Sequence, residues 1–213
     1  MPAPEDPVIE ALLTRAASGD AAAAGEVVLQ YEDRLRRTVR LRLDVRVARR
    51  VDVDDVLQET RVEALRRLPE FLAQREVPLR IWLRFLALQQ CVTLARRHLG
   101  AAVRDVRREQ PLAAEAQGDA TSMALEQALS AQMTTPSRAA ARGETQAGLR
   151  AAVADLEPFD REILCLRHFE GLDNAEASTV LGVPPATASK RYIRALVRLR
   201  EALTAAGLEA PSL

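Results

Sequence analysis

Up to about residue 108 the apolar positions recur at the spacing of helices. Val8, Ile9, Leu12, Leu13 and Ala16 fall on one side of a first helix, which Ser18-Gly19-Asp20 stops, and a second, longer helix is predicted from about Ala21 to Leu43. Asp52 then stands as the N-cap of a third, with Asp55 three residues on completing a carboxylate version of the capping box. Pro69 and Pro78 bracket a predicted loop over 69–79, and a fourth helix carries Trp82 to His98. The first half therefore reads as a compact helical bundle.

The pattern changes at residue 109. From there to 137 basic residues are absent while Glu109, Glu115, Asp119 and Glu126 remain, and Ala, Gln, Ser and Thr prevail. Such a stretch reads as a flexible acidic linker, with room for a short helix around 123–133. Thr135-Pro136-Ser137 offers an N-cap with proline at the first helical position, so helix is predicted to resume there. Leu149, Ala152, Val153 and Leu156 make the next apolar stripe. Pro158 opens a helix to Phe169, ended by Gly171, and Asp173 with Glu176 makes a second capping box. Leu181-Gly182-Val183 is a tight turn before a final helix from Pro184-Pro185 to about Ala205. Short helix, glycine turn and longer helix form the helix-turn-helix pattern. The expected fold is all-α: a helical domain over 8–108, a linker over 109–144 and a helix-turn-helix domain over 145–207.

Composition narrows the class. The aromatic share is only 3%, and Ala, Leu, Arg and Glu abound, which favours helices over sheets. Cys91 and Cys165 stand far apart with no His at ligand spacing, so neither a disulfide framework nor a metal site is expected, and a reducing, cytoplasmic setting is the simplest reading. The acidic start and the lack of any long apolar run point to a protein with no signal peptide and no membrane span. No P-loop, Gly-rich dinucleotide turn, H-E-x-x-H or nucleophile elbow is present, so neither an enzyme nor a cofactor is expected.

The net charge of +0 would argue against a nucleic-acid partner if the charge were evenly spread. It is not. Basic blocks at 34–50, 80–108 and 184–213 alternate with acidic stretches. In the final helix Thr187, Lys190, Arg191, Arg194 and Arg198 lie within about 60° of one line at ~100° per residue, while Ser189, Tyr192, Ile193, Leu196, Leu199 and Leu203 gather opposite. Alone this is an ordinary amphipathic helix. After a capped short helix and a glycine turn, it reads as a recognition helix for duplex DNA. On the helix opened by Asp52 the same construction puts Asp55, Gln58, Glu59 and Val62 on an outward face, either solvated or a docking surface for a basic helical partner. The fourth helix joins Arg80, Arg84, Gln89, Gln90, Thr93, Arg96 and Arg97 with Trp82 and Phe85, a set suited to backbone neutralisation and contact with unstacked bases, although core packing accounts equally for the aromatics.

Asp52-Val-Asp-Asp-Val-Leu-Gln-Glu59, Trp82-Leu-Arg84, the acidic stretch, Asp160-Arg-Glu-Ile-Leu164, Leu181-Gly-Val183 and Lys190-Arg191 with Arg194 together resemble a sigma-70 family RNA polymerase sigma factor of the extracytoplasmic-function (ECF) type. Residues 97–111 and 186–194 look most like planctomycete-type versions. The resemblance implies a transcription initiation factor that binds core RNA polymerase and directs it to promoters. Asp52, Asp55, Gln58, Glu59 and Val62 would meet the beta-prime clamp helices. The 69–79 loop would capture a flipped base of the −10 element, and Arg80, Trp82, Arg84, Gln89, Gln90, Thr93, Arg96 and Arg97 would read and help melt it. Thr187, Ser189, Lys190, Arg191, Arg194 and Arg198 would read the −35 duplex, with the same domain leaning on the beta flap. The free factor would be a monomer, and an anti-sigma factor is a candidate partner. Ala177-Ser178 replaces the usual Ile-Ala before the turn, which predicts looser packing there, and Gln90 and Thr93 replace the common Asn and Asp, so base preference does not transfer. The other reading of the helix-turn-helix is a stand-alone regulator that binds duplex DNA as a dimer; it has no need of the Asp52–Glu59 motif.

Overall fold

The computed structural model describes residues 6–43, 48, 51–99, 112–133 and 142–209, and among these the regular structure is entirely helical. The chain divides into two compact units, 1–108 and 109–213.

In the first unit α1 (Pro7–Ala17) starts where Asp6 accepts from the Val8 amide at 2.8 Å, and α2 (Ala21–Leu29) starts where Asp20 accepts from Ala22 and Ala23. The single helix expected from Ala21 to Leu43 is two helices. α3 (Glu32–Arg42) follows a break at Gln30-Tyr31, where Tyr31 is buried with its backbone at φ −101°, ψ −1°. Neither glycine nor proline marks this break in the sequence; burial of the tyrosine ring accompanies it.

The longest departure is α4 (Val53–Gln74), which runs straight through Pro69. A proline inside a helix costs about 3 kcal/mol. Leu68 and Phe71 on either side of it are buried, at roughly 1.5–3 kcal/mol each, so their packing outweighs the missing hydrogen bond. The expected 69–79 loop therefore shrinks to the four residues 75–78 between α4 and α5 (Leu79–Leu99). The core of this unit joins Leu13, Val27, Val39, Val56, Leu68 and Leu83.

The second unit contains α6 (Leu112–Met133), α7 (Arg142–Ala154), α8 (Pro158–Leu164) with a wider π turn at Cys165–Phe169, α9 (Asn174–Leu181) and α10 (Pro185–Ala205). The stretch expected as linker thus contains a 22-residue helix, longer than the 123–133 segment foreseen. Thr121, Ala124, Leu125 and Leu129 are buried along one side of it, and it packs on α7 and α8. The remainder of the expected linker, including the Thr135-Pro136-Ser137 start, lies outside the described residues apart from the first turn of α7. The Asp173/Glu176 capping box forms as predicted, with both reciprocal bonds at 2.8 Å, and Gly182 at φ 63° ends α9. Ala177 and Ser178 are buried at 0% and 6%, so their small side chains open no gap to solvent at the turn.

Candidate functional site

Three surfaces gather the chemistry-bearing residues. The first is the start of α4. Asp52 caps the helix, accepting from the Asp54 amide at 3.2 Å, and Asp55 accepts from the Asp52 amide at 3.3 Å. Asp52, Asp55, Gln58, Glu59 and Val62 are all exposed, Val62 at 60%. Asp54 instead faces α3, where Arg36 pairs with it and with Glu32 at 3.0 Å. One cation of the 34–50 basic block is thereby paired at the surface between α3 and α4. Beside this face runs a groove of about 410 Å³ bordered by Leu29, Leu57, Gln58, Arg61, Val62 and Leu65. Leu65 also borders a second groove, about 460 Å³, between the α1–α2 turn and the Leu68–Leu72 stretch with Pro69.

The second surface surrounds the turn at 75–78 and α5. Trp82 is half-buried and stacks on Phe71, with ring centroids 4.6 Å apart and planes 25° apart. These two rings, with Gln74, Arg75, Glu76 and Val77, line a pocket of about 180 Å³. Arg80 and Arg84, expected on the basic surface, are 8% and 4% exposed and already engaged in interactions of their own. They sit among Leu79, Ile81, Leu83 and Leu86 at a stage where α5 is buried nearly all round, so little of either side chain is open to solvent. The exposed line of α5 is Phe85 (49%), Gln89 and Val92 (48%), at i, i+4 and i+7. Sequence reasoning missed Val92, although its spacing from Gln89 was visible, and it grouped Phe85 with this helix's aromatics while allowing core packing, whereas the ring is exposed. Gln90 and Thr93 are half-buried, and the Thr93 hydroxyl donates to the Gln89 carbonyl at 2.8 Å. Arg97 is exposed; the Arg96 side chain lies outside the described residues.

The third surface is α10. Ser189, Lys190 and Arg194 are exposed and Thr187 is half-buried. The Arg191 guanidinium lies 4.3 Å above the Phe159 ring of α8. Arg198, expected to face DNA, reaches back to α8: its Nη1 donates to the buried Asp160 carboxylate at 2.5 Å and lies 3.4 Å from Glu157. A buried carboxylate needs such a partner, which is why this cation turns inward. The packing line also differs from the expected one. Ala188, Ala195, Leu199 and Leu203 are buried, whereas Ile193 and Val197 are 59% and 51% exposed. Asn174 ties the start of α10 to α9 by donating to the Pro185 carbonyl at 2.8 Å.

The turn-separated helix pair and, in the other unit, the capped acidic helix both lie in spans that match known families. Residues 27–99 match the family model for sigma-70 region 2, and residues 146–199 match that for sigma-70 region 4. The chain belongs to the sigma-70 family. It is an ECF-like sigma factor, a protein of transcription initiation, and the family is not enzymatic in general. The matches identify the family and not a planctomycete-like subgroup within it.

Among solved structures this sigma factor is similar to CnrH, determined in complex with the cytosolic domain of CnrY, at 25% identity and a TM-score of 0.52, covering 93% of this chain and 98% of that one. It also matches the RsbN–BldN complex at 21% identity and a TM-score of 0.32, over 89% of this chain and 97% of that one. No curated protein sequence matches it significantly. Within the sigma factor, α4 and α5 fall in region 2 and α8, α9 and most of α10 in region 4, while α1 precedes both matched spans and α6 lies between them. No described helix is long and apolar enough to cross a membrane.

Proposed function

We propose that this sigma factor docks on core RNA polymerase through the exposed face of α4 and reads promoters with the 75–78 turn, α5 and α10. The observation that carries the docking assignment is the set Asp52, Asp55, Gln58, Glu59 and Val62: three carboxylates, an amide and an apolar group on one face that the fold itself leaves to solvent. Such a face suits a basic helical partner, which in this family is the pair of beta-prime clamp helices. The test is competition for core polymerase by a variant with charge reversal at Asp55 and Glu59. Loss of competition with the bundle still folded supports the assignment, and normal competition removes it.

For the −10 element, the pocket between the Phe71–Trp82 stack and residues 74–77 offers a stacking wall and polar groups for an extruded base. Phe85, Gln89 and Val92 continue the surface along α5, with Arg97 available for phosphate. For the −35 duplex, Ser189, Lys190 and Arg194 are the outward groups of α10, with Thr187 at their edge and Arg191 held on its aromatic shelf. The exposed Ile193 and Val197 give the same helix an apolar side that suits the beta flap. A protein that covers these surfaces, in the manner of an anti-sigma factor, is the regulatory partner this reading anticipates, since CnrH was solved with the cytosolic domain of CnrY. The site of action is the cytoplasm, where polymerase and promoters are. Transcription in vitro with core polymerase across genomic fragments tests the whole reading and yields the promoter sequence; no promoter-specific transcript would refute it.

A further inference from the structure

Arg75 closes α4 with φ 40° and ψ 47°. This is the left-handed region where glycine is at home, and among the described non-glycine residues Arg75 alone adopts it. A residue stays there when its surroundings over-determine it, and such positions gather at binding sites. Here the Arg75 amide donates to the Phe71 carbonyl at 2.8 Å. Its guanidinium grips Glu10 with both nitrogens, Nη1 to Oε2 at 3.0 Å and Nη2 to Oε1 at 2.7 Å, a fork-on-fork geometry that fixes direction as well as distance. Glu10 belongs to α1, upstream of the span 27–99 that matches region 2, so the clamp comes from a segment the family model does not cover. Arg75 lines the pocket beside Phe71 and Trp82 together with Gln74, Glu76 and Val77; Glu10 does not.

We propose that Glu10 is a positioning residue for that pocket: by holding Arg75 in its left-handed turn it fixes the 74–77 wall against which an extruded base of the −10 element is seated. The inference rests on the base-capture reading given above. It makes α1 part of the promoter-opening apparatus without any contact between α1 and the base.

The experiment assembles the full chain with core polymerase on a promoter carrying 2-aminopurine in the −10 element. The fluorescence rise on base extrusion is read alongside core-enzyme competition and thermal melting. Glu10→Ala is expected to lower the rise about threefold, the scale of a half-exposed bidentate pair, with core competition unchanged. Arg75→Gly suits the left-handed turn and is expected to melt close to the native chain, yet to show the same loss. The swap of Glu10→Arg with Arg75→Glu is expected to restore most of the signal. A native rise in Glu10→Ala, or in Arg75→Gly, overturns the inference. Trp82→Ala and Gln74→Ala report on the pocket itself. If they lose the signal and Glu10→Ala does not, the Glu10 assignment alone falls; if they keep it, the base-capture reading falls and the inference with it.

Discussion

Replacing Arg198 by methionine removes the charge and keeps most of the packing stem, which isolates the ion pair with Asp160. Breaking a fully buried pair costs about 3–5 kcal/mol, and an exposed one about 0–1 kcal/mol. This pair lies between those limits, since Asp160 is buried while the Arg198 side chain is 48% exposed. The loss is expected to fall between those limits and to lower the Tm of the second unit by several degrees. The assay uses a feature of the chain: its single tryptophan, Trp82, sits in the first unit. Tryptophan fluorescence should melt as in the native protein while far-ultraviolet circular dichroism reveals an earlier transition from the second unit. Asp160→Asn should cost less and should no longer be sensitive to Arg198→Met, because the stranded charge is gone. Arg194→Ala, at an exposed position, should leave both melts within about 0.5 kcal/mol of native and instead weaken binding to a −35 duplex. The reasoning fails if Arg198→Met melts like the native chain and weakens duplex binding as Arg194→Ala does, since Arg198 would then be a DNA contact and not a brace.

Pro69→Ala should stabilise the first unit by about 2 kcal/mol, the interior-proline cost less the part that the chain already absorbs, seen as a later Trp82 melt; an unchanged melt would mean that the helix is built around the proline. The hydrogen bond from Arg75 holds the Glu10 carboxyl below its ordinary value, so its folded pKa lies under its unfolded one. The stabilisation is therefore fully present above the usual glutamate range of about 4.3 and lost as pH falls through the lower folded value. Melts of native and Glu10→Gln chains should differ at neutral pH and converge in acid, and a difference that persists in acid would refute this. Burial pushes the Cys91 thiol up to about 12, so alkylation at mildly alkaline pH should be slow until the chain is unfolded, which mass spectrometry of the labelled protein checks.

What the sequence revealed was mostly local chemistry. The two capping boxes, at Asp52/Asp55 and Asp173/Glu176, are contacts between residues three apart, and both form. The glycine turn at 182 was legible for the same reason. What it concealed was decided by contacts distant in the chain. The break at Tyr31 and the passage of α4 through Pro69 are cases where tertiary burial overrides local preference. The inward turn of Arg80 and Arg84, and of Arg198 toward Asp160, follows from partners that no helical wheel displays. α6 had a readable signal in Thr121, Ala124, Leu125 and Leu129, at three- and four-residue spacing, but small residues and a lack of basic groups made it look like linker. The exposed α4 face was found because outward residues are chosen by periodicity alone once the packing face is known.

Pro69 has one more effect. Having no amide hydrogen, it cannot satisfy the carbonyl of Leu65, four residues earlier, and Leu65 is the residue shared by the two grooves that follow one another along α4. The helix therefore gives up its usual hydrogen bond at that oxygen. The first groove carries Glu32, Arg36, Asp54, Gln58 and Arg61 among its apolar groups, whereas the second is lined by apolar residues and glycine, so the chemistry offered along α4 changes at Leu65. A proline that looks like a flaw in the helix thus falls just past the residue where a mixed, charged groove gives way to an oily one.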